Sequence, residues 1–431
     1  MEPLRVGLCG LGTVGQGVVE LLGRNGHNIA RQAGRPVVIT RVASRTPKPE
    51  VDLAGATFST DLADVVNAVN VDVVVETMGG ESAARQLMSD ACAAAKHVVT
   101  ANKALIALHG QELLAQARAA GVMVRFEAAV AGGIPILKAL SEGLAGNRVH
   151  WIAGIINGTS NYILSAMASE GATFADALAS AQALGYAEVD PAFDVGGIDA
   201  AHKLCILSAL AFDTPLNFDA VYTEGIEEIT AEDIEYAAAL GYRIKHLGIT
   251  RRTSAGVEMR VHPTLVPATR ILSQVDGVTN AVVVNSDAVG ASLYYGPGAG
   301  ALPSASAVVA DLIDVARDNA LPAFGQNGEP ERVPIEDIES AYYLRIPAAD
   351  QPGVMARVAQ ILSAQEISIE SVIQREQAVR ADTGTAWVPV IILTHKVIER
   401  DLDQALQEIQ RLADVVDTIT RIRVETLDAD G

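Results

Sequence analysis

The first 125 residues alternate short apolar runs with longer runs in which apolar residues recur every three or four positions. The short runs predict buried strands, and the longer periodic runs predict helices. In chain order these segments are Leu4–Cys9, Val14–Leu22, Val37–Ala43, Val71–Glu76, Ala83–Ala95, His97–Thr100, Glu112–Ala120 and Val122–Phe126. Strands that alternate with helices are typical of parallel βαβ units. The pattern therefore predicts an α/β domain with a doubly wound sheet, which we place at residues 1–130.

A different pattern occupies residues 131–320. Helical stretches rich in alanine and leucine cover Ser160–Glu170, Ala175–Leu184 and Asp199–Ala211. Strand-like runs cover Arg148–Ile156, Val257–Pro263 and Asn280–Asp287. Because strands and helices do not alternate strictly here, we expect an α+β domain that binds substrate and forms the dimer contact.

The segment 321–337 (LPAFGQNGEPERVPIED) has three prolines, two glycines and no apolar periodicity, so we predict a linker at residues 321–340. The order strand, helix, strand, strand, helix, strand follows over Tyr342–Pro347, Gly353–Ala364, Ser368–Arg375, Ala386–Thr394, Arg400–Ala413 and Thr418–Glu425. This βαββαβ order is that of ferredoxin-like folds. A third domain is therefore expected at residues 341–425.

Net charge, cysteine spacing and the lengths of apolar runs bear on the partners and the location of the protein. The chain has 52 acidic and 32 basic side chains, and its net charge of −20 disfavours nucleic acid and anionic membranes as partners. The cysteines lie in apolar runs without metal-ligand or disulfide spacing, at Cys9, Cys92 and Cys205. No signal-peptide pattern precedes the first strand, and no apolar run approaches the roughly 18 residues of a membrane span. We expect a cytoplasmic protein with reduced core thiols.

A glycine motif separates the first predicted strand from the first helix. It reads Gly10-Leu11-Gly12-Thr13-Val14-Gly15. Glycines at these positions allow a tight turn and let backbone N–H groups approach a pyrophosphate at the helix N-terminus. The alternative is a structural glycine turn, but the strand–turn–helix context favours a Rossmann dinucleotide site.

The end of the second predicted strand bears on the choice of cofactor. Arg45 and Lys48 follow this strand, and no acidic residue is present there to accept bonds from a free ribose 2′-hydroxyl. An arginine at this point favours a 2′-phosphate, and therefore NADP over NAD. The alternative is an ordinary solvated arginine.

The stretch Gly185–Lys203 places four carboxylates and a lysine within nineteen residues. Asp199 and Lys203 are four residues apart and share one helix face, which continues as the apolar residues Ile206, Leu207 and Leu210. A surface ion pair is the usual interpretation of this spacing. The apolar continuation instead predicts a partly desolvated lysine that can hold or deliver a proton. His202 points about 100° away and is interpreted as a packing or surface residue.

This stretch, together with Asn157–Tyr162 and Thr100–Lys103, closely resembles the homoserine dehydrogenase family. The resemblance covers nearly the whole chain, including a C-terminal part that resembles an ACT domain. It implies reversible reduction of L-aspartate 4-semialdehyde to L-homoserine by NAD(P)H, a step toward threonine, methionine and isoleucine.

The resemblance also implies roles for individual residues. Lys203 would donate the proton to the carbonyl oxygen, with Asp199 and Glu188 holding the amino and hydroxyl ends of the substrate. Lys103 would be a second catalytic lysine near the nicotinamide; its alternative role is that of a surface lysine at a helix start. The further residues implied are, for substrate, Thr159 and Asp194, and for cofactor, Thr77, Gly185 and Gly300.

Two other segments resemble family sites. The Glu127 side chain with the carbonyls of Val130, Gly132 and Ile134 resembles a site for Na⁺ or another monovalent cation, whereas sequence alone indicates an interdomain turn. Asp350, Gly353 and Val354 lie in a loop that resembles the ligand loop of ACT domains. Pathway logic makes L-threonine the expected effector, and the alternative is a module used only for dimerisation. We expect a homodimer or homotetramer.

Two readings from other classes stay open at this point. A non-catalytic amino-acid sensor would leave the grouping of Glu188, Asp199 and Lys203 unexplained. The other is a different Rossmann oxidoreductase, such as an aspartate dehydrogenase or a semialdehyde dehydrogenase. A thioester-forming semialdehyde dehydrogenase needs a positioned cysteine, and the cysteines here lie in predicted core segments.

Overall fold

The computed structural model describes residues 2–322, 324–325, 332–374, 378–379 and 386–428. Its N-terminal part is a parallel sheet in the order β3-β2-β1-β4-β5-β6. The strands are β1 (Leu4–Cys9), β2 (Val37–Ala43), β3 (Thr57–Ser59), β4 (Val73–Glu76), β5 (His97–Thr100) and β6 (Val124–Arg125). The helices between them are α1 (Thr13–Ala33), α2 (Ala63–Val66), α3 (Ser82–Ala93) and α4 (Lys103–Ala120). The strand order reverses between β1 and β4, so the predicted doubly wound sheet is confirmed.

The middle of the chain forms an antiparallel sheet in the order β12-β11-β7-β9-β10, with β8 paired to β10. Its strands are β7 (Val149–Ile155), β8 (Tyr222–Thr223), β9 (Tyr242–Arg252), β10 (Val257–Pro267), β11 (Thr279–Ser286) and β12 (Gly290–Pro297). Its helices are α5 (Ile136–Lys138), α6 (Gly158–Glu170), α7 (Phe174–Ala183), α8 (Ala192–Val195), α9 (Ile198–Phe212), α10 (Ala231–Ala239) and α11 (Ala301–Ala316). The α+β prediction is confirmed, although β9 and β12 were not predicted.

The C-terminal part has the predicted βαββαβ plan. Its elements are β13 (Glu339–Ala349), α12 (Val354–Ala364), β14 (Ile369–Gln374), β15 (Ala378–Val379), β16 (Ala386–Thr394), β17 (Val397–Ile398), α13 (Glu399–Gln410) and β18 (Thr420–Val424). The sheet order is β18-β13-β16-β14. Arg375, the predicted end of one strand, lies outside the described residues.

The second and third sheets are joined edge to edge. Strand β18 pairs in parallel with β10, with Thr264 opposite Arg423 and Leu265 opposite Val424. The described strands of both parts therefore form one continuous twelve-stranded sheet. Within the predicted linker, residues 323 and 326–331 lie outside the described residues. Phe324 is buried, with its ring centroid 6.4 Å from that of Phe126 in the N-terminal part.

Helix α11 returns to the N-terminal sheet after the chain has built the middle domain. Its buried residues Val308 and Leu312 share a core cluster with Leu4 and Val6 of β1. A Cβ atom on Gly17 of α1 would overlap the carbonyl oxygen of Ala301, so a glycine permits this close approach. The N-terminal part is thus completed by a helix about 170 residues downstream of the predicted limit at 130.

The chain passes from the N-terminal part to the middle part near Gly132 and returns near Gly298. These two crossings lie side by side. The amide of Gly133 donates to the carbonyl of Pro297 at 3.0 Å. A Cβ atom on Gly132 would overlap the backbone of Gly298, so the two crossings are in direct contact.

The three cysteines are buried with free thiols, as predicted. Among the described residues, no helix has both the length and the apolar character needed to cross a membrane.

Candidate active site

The glycine motif forms the turn between β1 and α1. Gly10 has a φ of +102°, and a Cβ atom there would lie 2.7 Å from the carbonyl oxygen of Thr77. A Cβ atom on Gly15 would overlap the Gly10 carbonyl. At Gly12, in contrast, no described atom other than those of Gly12 and its chain neighbours lies within 4 Å of the Cβ position. The turn is therefore closely packed behind and open at the N-terminus of α1, which is the arrangement that a pyrophosphate requires.

A buried glutamate missed at the sequence level supports this turn. Glu76, at the end of β4, accepts bonds from the Thr100 hydroxyl at 2.5 Å and from the amides of Met78 and Gly79 at 2.7 and 3.1 Å. Burial raises its pKa. Thr77 donates its hydroxyl to the Gly10 carbonyl at 2.9 Å. The Glu76 carboxylate thus holds the loop after β4 against the glycine turn; an acidic residue ending a buried strand was the available signal.

Lys103 is placed by the cap of α4. Asn102 accepts the Leu105 amide at 3.1 Å and donates to the Gly80 carbonyl at 2.6 Å. This cap makes Lys103 the first residue of the helix. Its Nζ lies 2.9 Å from Asp199 Oδ1 and 5.7 Å from the centroid of the Phe193 ring. Lys103 is therefore a helix-start lysine that is paired with a buried carboxylate, although about a third of its side chain is exposed.

Asp199 and Lys203 form a buried pair on α9. Lys203 Nζ donates to Asp199 Oδ2 at 2.7 Å and to the Ile156 carbonyl at 2.7 Å. Asp199 and Lys203 are 5% and 9% exposed, because the same face of α9 continues into the core. The surface-pair interpretation is therefore wrong. His202 packs between the rings of Phe193 and Phe218, so of the two interpretations the packing one is confirmed.

Burial and charge act in opposite directions on this pair. Burial alone would raise the pKa of Asp199, but the ammonium groups of Lys203 and Lys103 outweigh it and hold that pKa well below its usual range. Burial lowers the pKa of Lys203, and the opposing effect of Asp199 does not cancel it. Asp199 therefore stays ionised, while Lys203 gives up a proton more readily than a solvated lysine.

Asn157 links a second carboxylate to the cluster. It caps α6 by accepting the Ser160 amide at 2.8 Å, and its Nδ2 donates to both Asp194 and Asp199 at 2.8 Å. Burial raises the pKa of Asp194. Asn157 was noted as part of a motif but not as a site residue; its position just before a helix was the signal of a cap whose amide nitrogen stays available.

These groups face a cavity of about 720 Å³ between the N-terminal and middle parts. All the predicted site residues lie in the described part of the chain, and nine of them line this cavity: Val14, Lys103, Gly132, Thr159, Gly185, Asp194, Asp199, Lys203 and Gly300. Thr159 donates its hydroxyl to the Tyr186 carbonyl at 2.7 Å. Gly300, with a φ of +122°, precedes α11. The cavity thus joins the glycine-turn helix to the acid–lysine cluster.

Comparisons with known proteins identify the family. Residues 10–127 match a family model described as "Homoserine dehydrogenase, NAD binding domain", residues 135–313 match "Homoserine dehydrogenase", and residues 342–414 match "ACT domain". The homoserine dehydrogenase of Pseudomonas aeruginosa is 54% identical, over 99% of this chain and 100% of that protein. The chain belongs to the homoserine dehydrogenase family.

Solved homoserine dehydrogenases have the same fold. The crystal structure of the enzyme from Thiobacillus denitrificans has a TM-score of 0.94 and 51% identity, covering 99% of both chains. A hyperthermophilic archaeal homoserine dehydrogenase in complex with NADPH has a TM-score of 0.62 and 25% identity, covering 74% of this chain and 98% of that chain. The protein is thus an NAD(P)-dependent oxidoreductase that acts on a CH–OH group, and the sensor and other-oxidoreductase readings are set aside.

Some residues predicted for this homoserine dehydrogenase lie away from the cavity lining. Glu188 is exposed on the turn between α7 and α8, where its carbonyl accepts a bond from Gln182 at 3.0 Å. Asp194, rather than Glu188, is the carboxylate beside Asp199, because Asn157 bridges those two. Arg45 is exposed just beyond the end of β2. The roles of Glu188 and Arg45 stay predictions.

The turn predicted to bind a cation is built around a buried carboxylate. Glu127 accepts the amides of Leu137 and Lys138, both at 2.9 Å, and donates its own amide to Asp311 at 2.8 Å. Burial, and then the charge of Asp311, raise the pKa of Glu127 to about 8. The backbone of residues 131–132 is left-handed, which curls the carbonyls of this turn. No cluster of three His, Cys, Asp or Glu side chains arranged for a metal is found among the described residues.

The predicted effector loop of this homoserine dehydrogenase joins β13 to α12. Asp350 is exposed, Gly353 has a φ of +92° immediately before the helix, and Val354 is buried in the C-terminal core. Its assignment to an effector stays a prediction.

Proposed function

We propose that the chain catalyses the reversible NADPH-dependent reduction of L-aspartate 4-semialdehyde to L-homoserine, in the cytoplasm, on the route to threonine, methionine and isoleucine. The observation that carries the proposal is the Lys103–Asp199–Lys203 cluster in the interdomain cavity, in which Asp199 and Lys203 are buried. Reduction of an aldehyde needs a hydride source and an acid at the carbonyl oxygen. The cluster supplies the acid beside the helix that begins at the glycine turn.

Lys203 is the proposed acid. Two of its three ammonium hydrogens are donated to Asp199 and Ile156, which leaves one for the substrate oxygen. The lowered pKa of Lys203 favours transfer of that proton to an alkoxide. Because Asp199 stays ionised, it fixes the ammonium group and stabilises the charged form between turnovers. In the reverse direction the neutral amine takes the proton from the homoserine hydroxyl.

The substrate's own charges fit the surrounding side chains. Its ammonium group requires carboxylates, and Asp194 and Asp199 provide them at one wall of the cavity. We propose Thr159 and Glu188 as further substrate contacts, with Glu188 reaching in from the turn after α7. Lys103, tied to the other oxygen of Asp199, would act as the second catalytic lysine and hold the substrate near the nicotinamide.

The cofactor proposal rests on the glycine turn. When bound, NADPH supplies the hydride. The residues proposed to hold its phosphates and nicotinamide end are Gly10, Leu11, Gly12, Thr13, Val14, Gly15, Thr77, Lys103, Gly185 and Gly300. The open space at Gly12 and the closely packed Gly10 and Gly15 support this fit. The NADPH complex of the archaeal relative supports it further.

Arg45 is proposed to favour NADP over NAD by binding the 2′-phosphate. Arg45→Ala should lower the ratio of kcat/KM for NADP⁺ to that for NAD⁺ by about tenfold, since a hydrogen bond to a charged group is lost. Arg24→Ala removes the same charge from an exposed ion pair on α1 and serves as the matched control. An unchanged ratio in Arg45→Ala would rule out this assignment.

A monovalent cation such as Na⁺ is proposed to bind at Glu127 and the carbonyls of Val130, Gly132 and Ile134. The Asp311 carboxylate accepts the Glu127 amide, and burial together with the Asp311 charge raises the pKa of the Glu127 carboxyl, so a cation there would favour the ionised forms of both. Such an ion would order the crossing between domains and take no part in hydride transfer.

The C-terminal domain is proposed to bind L-threonine as a feedback inhibitor, through Asp350, Gly353 and Val354. The support is the match to an ACT domain and the glycine that opens the N-terminus of α12. We further propose a homodimer or homotetramer.

A single assay tests the central proposal. L-Homoserine turnover is measured with NADP⁺ and with NAD⁺, with and without L-threonine, and in sodium, potassium and monovalent-cation-poor buffers. We expect reduced nicotinamide to form, faster with NADP⁺, to be suppressed by threonine and to depend on the added cation. No reduced nicotinamide with either cofactor would refute the activity, whereas insensitivity to threonine or to the cation would refute only that part.

A further inference from the structure

One arginine of the C-terminal domain reaches into the middle domain. Arg423 on β18 is 1% exposed and donates to Glu399 within its own domain at 2.8 Å. It also donates to Glu224 at 2.8 Å and to the Tyr222 hydroxyl at 3.2 Å, and its guanidinium lies 4.9 Å from the centroid of the Tyr222 ring. A buried guanidinium therefore fixes the segment 222–226 to the C-terminal domain.

The opposite side of this segment contacts the turn that precedes α9, the helix that carries Asp199 and Lys203. Ile226 donates its amide to the Val195 carbonyl at 2.9 Å. A Cβ atom on Gly225 would lie 2.7 Å from that same carbonyl and 3.0 Å from Gly196 Cα. The glycine thus permits the segment to lie directly against residues 195–197.

A buried histidine provides a second contact between the segment and the turn. His246 bonds through Nε2 to the carbonyl of Glu224 at 2.9 Å. A Cβ atom on Gly197 would lie 3.1 Å from His246 Cε1, so ring and turn are in contact. Gly197, with a φ of +87°, immediately precedes α9, and Asp199 is the second residue of that helix. The position of Gly197 therefore determines where the Asp199 carboxylate lies.

We propose that Arg423 is a positioning residue for the reaction, acting through Glu224 and His246 on the turn that sets Asp199 and Lys203. The C-terminal domain then contributes to catalysis through a buried side chain. Its contribution does not require an effector. This inference deepens the proposed function and rests on the roles proposed there for Asp199 and Lys203.

The test compares two arginines on the same strand. Arg423→Met keeps most of the side-chain volume and removes the link to Glu224. Arg421→Met is the matched control, because Arg421 pairs with Asp403 and Glu399 inside the C-terminal domain. We expect Arg423→Met to lower kcat for homoserine oxidation about tenfold, with the Kd for NADPH unchanged, since small displacements of reacting groups are costly. Arg421→Met should keep wild-type kcat.

Stability is measured in parallel to separate positioning from folding. If Arg423→Met lowers Tm but retains wild-type kcat per folded enzyme, the arginine is only structural and the inference is wrong. Should Arg423→Met fail to fold, Glu224→Gln removes the charge and keeps the backbone bond to His246. A kcat reduction in Glu224→Gln that is non-additive with His246→Gln supports the route, and additive effects overturn it.

Failure of this inference can be distinguished from failure of the acid assignment. These variants all retain Lys203, so a wild-type kcat in Arg423→Met refutes the positioning role alone. A wild-type kcat in Lys203→Ala would refute the proposed acid instead.

Discussion

Replacing Lys203 by alanine is expected to lower kcat for homoserine oxidation by about a thousandfold, the usual contribution of a well-placed proton donor or acceptor. The Nζ atom is the group of the cluster that lies between an ionised carboxylate and a main-chain carbonyl. The fold should survive, because Asp199 keeps its second partner, Lys103, at 2.9 Å. KM for the cofactor should change little, since Lys203 lies on the middle domain.

The pH dependence of kcat in the wild-type enzyme should have opposite directions for reduction and for oxidation. Reduction of the aldehyde needs the protonated lysine, so its kcat should fall as pH rises through the lowered pKa of Lys203. Oxidation needs the neutral amine and should rise over the same range. Both limbs should disappear in Lys203→Ala, and steady-state rates in the two directions measure them.

Lys245→Ala is the matched control. Lys245 is also buried and also bonds a carbonyl and a carboxylate, those of Val275 and Asp276 at 2.6 and 2.8 Å, but it lies outside the cavity lining. The Lys245→Ala substitution should lower Tm, while kcat stays near that of the wild type. Near-wild-type kcat in a folded Lys203→Ala enzyme would mean that another group transfers the proton.

Deleting residues 339–431 is expected to prevent stable folding of the remaining chain. The deletion removes β18, which pairs with β10, and takes the nearer carboxylate, Glu425, from the buried Arg260, which keeps only the more distant Glu258 at 3.7 Å among its ion-pair partners in the described residues. It also uncovers a core in which Tyr343 and Ile422 pack with residues of the middle domain. Exposing these apolar surfaces to water lowers the free energy of unfolding, and removing the nearer partner of a buried charge lowers it further.

Yield of soluble protein, far-UV circular dichroism and thermal unfolding measure this effect against the full chain. Arg357→Ala in the full chain is the control, because the Arg357–Asp414 pair lies wholly within the C-terminal domain. A shortened chain with wild-type Tm and turnover would show that the joined sheet is dispensable. For the same reason, threonine inhibition is better tested by substitution at Asp350 than by shortening the chain.

The hydrophobic pattern predicted the bounds of several strands. Those of β1, β2, β5 and β16 agree with the prediction, including the only partly buried β2, because polar, glycine or proline residues beside an apolar run mark where a strand ends. The pairing of β10 with β18 was not predictable, since strands some 150 residues apart leave no local signal of their contact. The C-terminal part, which the hydrophobic pattern predicts as a separate domain, is therefore joined to the middle part through the edge of its sheet.

The site was predictable where the chemistry lies on one element. Asp199 and Lys203 could be found because four-residue spacing and an apolar continuation both follow from helix geometry. Asn157 and Glu76 were missed as site residues because their importance comes from partners on other elements. Glu188 differs from these residues: its side chain is exposed on the turn after α7 and does not line the cavity, so its predicted contact with the substrate stays a prediction.

The paired crossings at Gly132 and Gly298 limit how the N-terminal and middle parts can move relative to each other. A single connecting segment would allow twisting and sliding as well as opening of the cavity between them. Two connecting segments in contact, joined by the Gly133–Pro297 hydrogen bond, form a two-stranded hinge with a single axis of rotation. We therefore expect the reacting carbon and the hydride to approach along one arc at every turnover, so alignment is reproduced by the mechanics of the chain itself.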